Sequence, residues 1–158
     1  MAKPIPDGYH TATPYLIIRD AAKAIEFYKR AFKAVETMRM DGPDGKVGHA
    51  EVKIGDSLIM LSDEHPEMGY ASPQSLGGSP VSILLYVEDC DAVFNRAIEA
   101  GGTVKDSVKD KFYGDRTGSL ADPFGHIWHV ATHTEDVSPQ ELDRRMKEMF
   151  ATGQPSKE

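Results

Sequence analysis

The 158 residues suit one compact domain or two small modules sharing a core, and 40% hydrophobic with 27% charged residues is the make-up of an ordinary folded chain. A net charge of −7 and a pI near 5.3 argue against a nucleic-acid partner, because phosphates select a basic face. The single cysteine, Cys90, rules out an intrachain disulfide. No apolar run approaches the roughly 20 residues of a membrane span, and the opening MAKPIPDGYH has no apolar leader, so cytoplasm is the expected compartment and no membrane partner is expected.

Residues 1–10, with Pro4, Pro6 and Gly8, read as an arm. A strand follows near Thr13–Arg19, and Asp20 stands where a helix N-cap belongs. Ala21, Ala24, Ile25, Tyr28 and Phe32 recur at helical spacing and predict a helix over 21–33. Val35–Met40 reads as a strand, and Asp41-Gly42-Pro43-Asp44-Gly45 as a hairpin turn. Strands at 49–54 and 57–62 flank a Gly55-Asp56 turn. Residues 65–80 hold three prolines and three glycines and predict a loop that links two modules.

The pattern then returns. Val81–Val87 is an apolar strand, a helix spans about 90–100, and Gly101-Gly102 ends it. Strands follow near 103–108, 116–121 and 126–132, the last two joined by Asp122-Pro123-Phe124-Gly125. The two strand-to-helix junctions, at Asp20 and at Glu88-Asp89, lie roughly 68 residues apart, which marks an internal repeat. Ser138-Pro139-Gln140-Glu141 is a capping box for a last helix, with a stripe of Leu142, Met146, Met149 and Phe150. The predicted organisation is an arm at 1–10, a βαβββ module at 11–64, a linker at 65–80, a second βαβββ module at 81–135, a helical segment at 136–151 and a disordered tail at 152–158. The fold class is α+β, with two mixed, curved sheets forming a cup.

The segments YLIIRDAAKAIEFYKRAF, LLYVEDCDAVFNRAIEAGG and DPFGHIW, in this order, resemble the glyoxalase/bleomycin-resistance/dioxygenase (vicinal oxygen chelate) superfamily. GDRTGSLADPFGHIW and THTEDVSPQELDRR look closest to its PhnB-like branch. The resemblance implies that each module curls its sheet, that two cups enclose a cavity, and that the first and last strand of each module carry the ligands of a divalent metal. Bleomycin-binding members of the family hold no metal and sequester a ligand. Carried onto this chain, the four ligand positions fall on Thr13, Met60, Ser82 and His129, of which only His129 is a competent metal ligand. His10, His49 or Glu51 would have to substitute from other places.

Strand alternation predicts which side chains share the cup. His129 groups with Ile127, Ala131 and His133, while Trp128 and Val130 face a helix. Tyr15 groups with Ile17, Met60 with Ser62, Ser82 with Tyr86, and His49 with Glu51 and Lys53. His49 and Glu51, two apart on one strand, read either as a general base with its orienting carboxylate or as polar residues of a solvated face. Asp115 and Arg116 read as an anion site or as an ion pair. The expected ligand-binding set is Tyr15, His49, Glu51, Met60, Ser82, Tyr86, Arg116 and His129, with no catalytic residue assigned. The expectation is a homodimer that binds a small organic molecule without a metal. A metal-dependent lyase, isomerase or dioxygenase and a ligand-free scaffold are the rival readings.

Overall fold

A computed structural model of the chain describes residues 1–153. Strand β1 (Tyr15–Ile18), helix α1 (Ala21–Phe32) and strands β2 (Val35–Asp41), β3 (Val47–Ile54) and β4 (Ser57–Asp63) build one unit. Its sheet runs β1-β4-β3-β2, with β1 parallel to β4 and the other pairs antiparallel. Between the units lie a 3-10 turn (Pro66–Met68) and a short helix α2 (Pro73–Leu76). Strand β5 (Ser82–Tyr86), helix α3 (Cys90–Glu99) and strands β6 (Thr103–Asp110), β7 (Asp115–Ala121) and β8 (Ile127–His133) repeat the plan, in the order β5-β8-β7-β6. Helix α4 (Pro139–Ala151) ends the described fold. The α+β architecture of two four-stranded mixed sheets is the one the repeat predicts. The tail expected at 152–158 lies, past Gly153, outside the described residues.

Local signals account for the helix starts. The Asp20 carboxylate accepts from the Lys23 amide at 3.4 Å, with Asp20 in the left-handed region at φ 68°. A second tie comes from across the sheet. Asp63, at the end of β4, accepts from the amides of Ala21 at 2.9 Å and Val47 at 2.7 Å. In the second unit Thr132, near the end of β8, does the matching work, accepting from the Cys90 amide at 2.9 Å and donating to the Val87 carbonyl at 2.8 Å. Each helix is thereby pinned to the last strand of its own unit.

The segment expected to be a loop is held in place. Glu64 accepts from Arg19 Nε at 2.8 Å, the Ser72 amide at 2.8 Å and Ser75 Oγ at 2.6 Å. These bonds lower its pKa to about 2, the Ser75 hydroxyl contributing most. The Pro/Gly composition of 65–80 conceals the two short helical turns because each is only three or four residues long.

The core lies where the helices meet. Helix α1 buries Ala21, Ala24, Ile25, Phe27, Tyr28, Ala31 and Phe32, more than one face, because it packs on its own sheet and also on the second unit. Trp128 of β8 is fully buried between Tyr28 (ring centroids 5.2 Å apart) and Phe32 (4.7 Å). Gly118 of β7 has no room for a side chain: an added Cβ would sit 2.8 Å from Val108 Cγ2 and 3.0 Å from Phe94 Cε2, where α3 meets its sheet.

Asp122 is the polar centre of this seam. Its buried carboxylate accepts from Tyr28 Oη at 2.7 Å, Trp128 Nε1 at 2.9 Å and the amides of Phe124 and His126 at 2.9 Å each. Burial, followed by the Asp122 charge, raises the Tyr28 phenol well above its ordinary value, so it stays a donor. Asp122→Ala strands these buried donors and is expected to cost about 3 kcal/mol or more, read as a lower urea midpoint with an unchanged slope.

Candidate functional site

The helix-facing side of each sheet is consumed by the core, so the side chains that alternation assigns to the cup lie on the opposite, concave side. On the first sheet that side carries Tyr15, His49, Glu51 and Met60 together. Met60 stands opposite Tyr15 on β1 and opposite Glu51 on β3. Tyr15 Oη lies 2.8 Å from His49 Nδ1, and His49 Nε2 lies 3.2 Å from Glu51 Oε1. A carboxylate only accepts, so in the neutral ring Nε2 carries the proton and Nδ1 is left to accept from the phenol. Met38 and Met40 of β2 stand opposite Glu51 and His49 and are exposed. Tyr9, from the arm, joins this face: hydrogen bonding to the Glu51 carboxylate pushes its phenol up to about 12. Tyr9 has no strand periodicity to place it, so its role was not legible in the sequence.

The second sheet presents Ser82, Tyr86 and His129 on its concave side. His129 stands between Leu84 of β5 and Ser119 of β7. Tyr86 donates to Asp115 at 2.7 Å, His133 Nδ1 donates to the other Asp115 oxygen at 2.7 Å, and His133 Nε2 donates to Asp136 at 2.8 Å. Asp115 is buried, while Tyr86 is 64% exposed.

Arg116 requires a correction. It sits on the helix-facing side, where Asp91 of α3 takes Nε at 2.7 Å and Nη2 at 2.9 Å, and Asp110 takes Nη1 at 3.3 Å. These two carboxylates raise its already high pKa further. It pairs with α3 and does not reach the concave face. Asp115 and Arg116 do not pair with each other because neighbours on a strand point to opposite faces. Alternation counted outward from Gly118 carries this result, since Gly118 and Arg116 share a side.

The two concave clusters share no hydrogen bond among the described residues. Tyr15 is 48% exposed and Leu84 46%. One cleft, about 270 Å³, lies at the seam between units, lined by Tyr15, Ile17, Pro73, Leu76, Val81 and Ile127 among others. Of the expected set only Tyr15 borders it.

A metal centre does not fit these donors. Thr13 lies ahead of β1 and its hydroxyl donates to the His10 carbonyl at 3.1 Å. Met60 and Ser82 are poor ligands for a divalent ion, and no three His, Cys, Asp or Glu side chains gather as a ligand set among the described residues.

His133 yields a pH prediction. Its hydrogen bonds to Asp136 and then Asp115 raise its pKa above the ordinary 6.5. Its protonated form is therefore favoured in the folded state. The stability it adds is complete below 6.5 and lost as pH rises through the raised folded value. Urea midpoints of the wild type are expected to fall across that window, and His133→Asn is expected to flatten the dependence.

Comparison with known proteins agrees with this architecture. A model of the Glyoxalase/Bleomycin resistance protein/Dioxygenase superfamily matches residues 9–130. An uncharacterized protein of Mycobacterium tuberculosis is 46% identical over 137 residues, 85% of this chain and 81% of that protein. The crystal structure of protein PA1353 from Pseudomonas aeruginosa superposes with a TM-score of 0.65 at 25% identity, covering 80% of this chain and 99% of that one. The PhnB protein from Bacillus cereus gives a TM-score of 0.62 at 19% identity, covering 78% and 99%. With sequence match, repeat and strand order in agreement, the chain belongs to the glyoxalase/bleomycin resistance protein/dioxygenase superfamily.

Proposed function

We propose that this protein binds a small aromatic or amphipathic organic molecule on its concave sheet faces, without a metal. One observation carries the reading: the concave side of the first sheet exposes Tyr15, Met38 and Met40 around the polar Tyr15–His49–Glu51 chain. Exposed apolar groups around a few convergent polar atoms are the make-up of a small-molecule site. Methionines adapt to varied ligand shapes and make favourable contacts to aromatic rings. On the second sheet Ser82, Leu84, Tyr86 and His129 would complete the lining. The motifs GDRTGSLADPFGHIW and THTEDVSPQELDRR support a place in the PhnB-like branch.

The working unit in this proposal is a homodimer, because a partner would cover concave faces that one chain leaves open. It acts in the cytoplasm, consistent with its single, buried Cys90. No helix among the described residues is long and apolar enough to cross a membrane.

The test combines metal analysis with ligand titration. Purified protein is expected to hold no stoichiometric Ni, Zn, Mn or Fe after equilibration with each ion. Small aromatic probes are expected to perturb the NMR methyl signals of Met38, Met40 and Met60 while leaving Met146 of α4 unmoved. One bound metal per chain that disappears in His129→Ala would establish the metal-dependent alternative instead. Sedimentation of the untreated protein is expected to give a dimer at micromolar concentration.

A further inference from the structure

The polar chain on the first sheet has a direction, and that direction limits what its ligand can be. In the neutral His49 ring the Glu51 carboxylate fixes the proton on Nε2, which leaves Nδ1 as an acceptor. The Tyr15 hydroxyl proton is committed to that nitrogen at 2.8 Å. Tyr15 Oη therefore offers only lone pairs to the open face, where its side chain is exposed. A ligand that meets it must bring a hydrogen-bond donor. Behind the phenol stand the His49 imidazole and the Glu51 carboxylate, the arrangement of a base with its orienting partner.

We propose that Tyr15, His49 and Glu51 form a proton-accepting relay that ionises the acidic hydroxyl of a bound phenol or enol, with no metal involved. The inference rests on the reading of this face as a ligand site. In the step, the ligand O–H bond breaks and its electron pair stays on the ligand oxygen. The proton passes to Tyr15 Oη as the original Tyr15 proton passes to His49 Nδ1. The products are a ligand anion and a His49 imidazolium held by Glu51, so charge balances and no co-reactant is consumed. An ordinary aliphatic alcohol is too weak an acid for the transfer and would only hydrogen-bond.

Other ionisable groups on this face are few. Tyr9, from the arm, abuts Glu51 and stays protonated to about 12. Lys53 lies two residues beyond Glu51 on β3 and opposite Val35 of β2. Strands β2 and β4 contribute Met38, Met40 and Met60 at the neighbouring positions.

The experiment titrates the full chain with 4-nitrophenol, whose neutral and ionised forms absorb at different wavelengths, and with its methyl ether, 4-nitroanisole, which has no proton to give. The bound phenol is expected to ionise at least about one pH unit below the free probe, a tenfold shift in its ionisation constant. His49→Gln keeps an oxygen that accepts from Tyr15 but cannot take the proton, so the shift is expected to vanish there, as in Tyr15→Phe. A shift that survives in His49→Gln overturns the relay. If both probes bind the wild type and the phenol ionises as it does in water, the relay falls and the ligand site stands. If neither probe perturbs the methionine methyl signals, both readings fall together.

Discussion

The fold depends on one buried carboxylate. Asp122 sits in the turn before β8 and collects the hydroxyl of Tyr28 from the first unit, the indole of Trp128 from the second and two amides of its own turn. A buried charge is tolerable only when its lone pairs are filled, and here they are. The consequence is geometric. With Tyr28 and Trp128 bound to the same group, α1 packs against the helix side of the second sheet as well as its own. Both helix-facing sides are thereby buried inside one chain, and both concave sides are left outside it.

That division explains why an exposed surface is so apolar. Trp128, Val130, Val52 and Leu61 are fully buried on the helix side of their strands. Their alternate neighbours on the same strands, among them His49, Glu51, Met60 and His129, belong to the concave side. A monomeric surface seldom exposes a cluster such as Tyr15, Met38 and Met40 without a use for it.

The two units share a plan and differ in chemistry. Each has a tyrosine on its first strand bonded to a polar group deeper in its sheet, Tyr15 to His49 and Tyr86 to Asp115. In the first unit the phenol faces a ring nitrogen of His49. In the second it donates to a carboxylate, and that contact raises its pKa. The pinning of the helices diverges in the same way, a carboxylate at Asp63 and a hydroxyl at Thr132. The backbone repeat is conserved between the units while the side chains at equivalent places have changed role, so the two faces are not interchangeable halves of one site.

Much of this was decided by local pattern alone. The two βαβββ units, the helix starts at Asp20 and Ser138, the common side of His49 and Glu51, and the inward turn of Trp128 and Val130 follow from periods of 3.6 and 2 and from turn chemistry, which act over a few residues. What alternation could not supply was the partner. Arg116 turns to α3 because Asp91 waits there, Tyr9 reaches Glu51 across 42 positions of sequence, and Glu64 latches the segment that composition marks as loose. These contacts depend on how separately formed elements come together, and only the tertiary structure decides that. It also decides which way the units face, because Asp122 and Trp128 join them through their helices, so the apolar concave faces stay open to a ligand or a second chain.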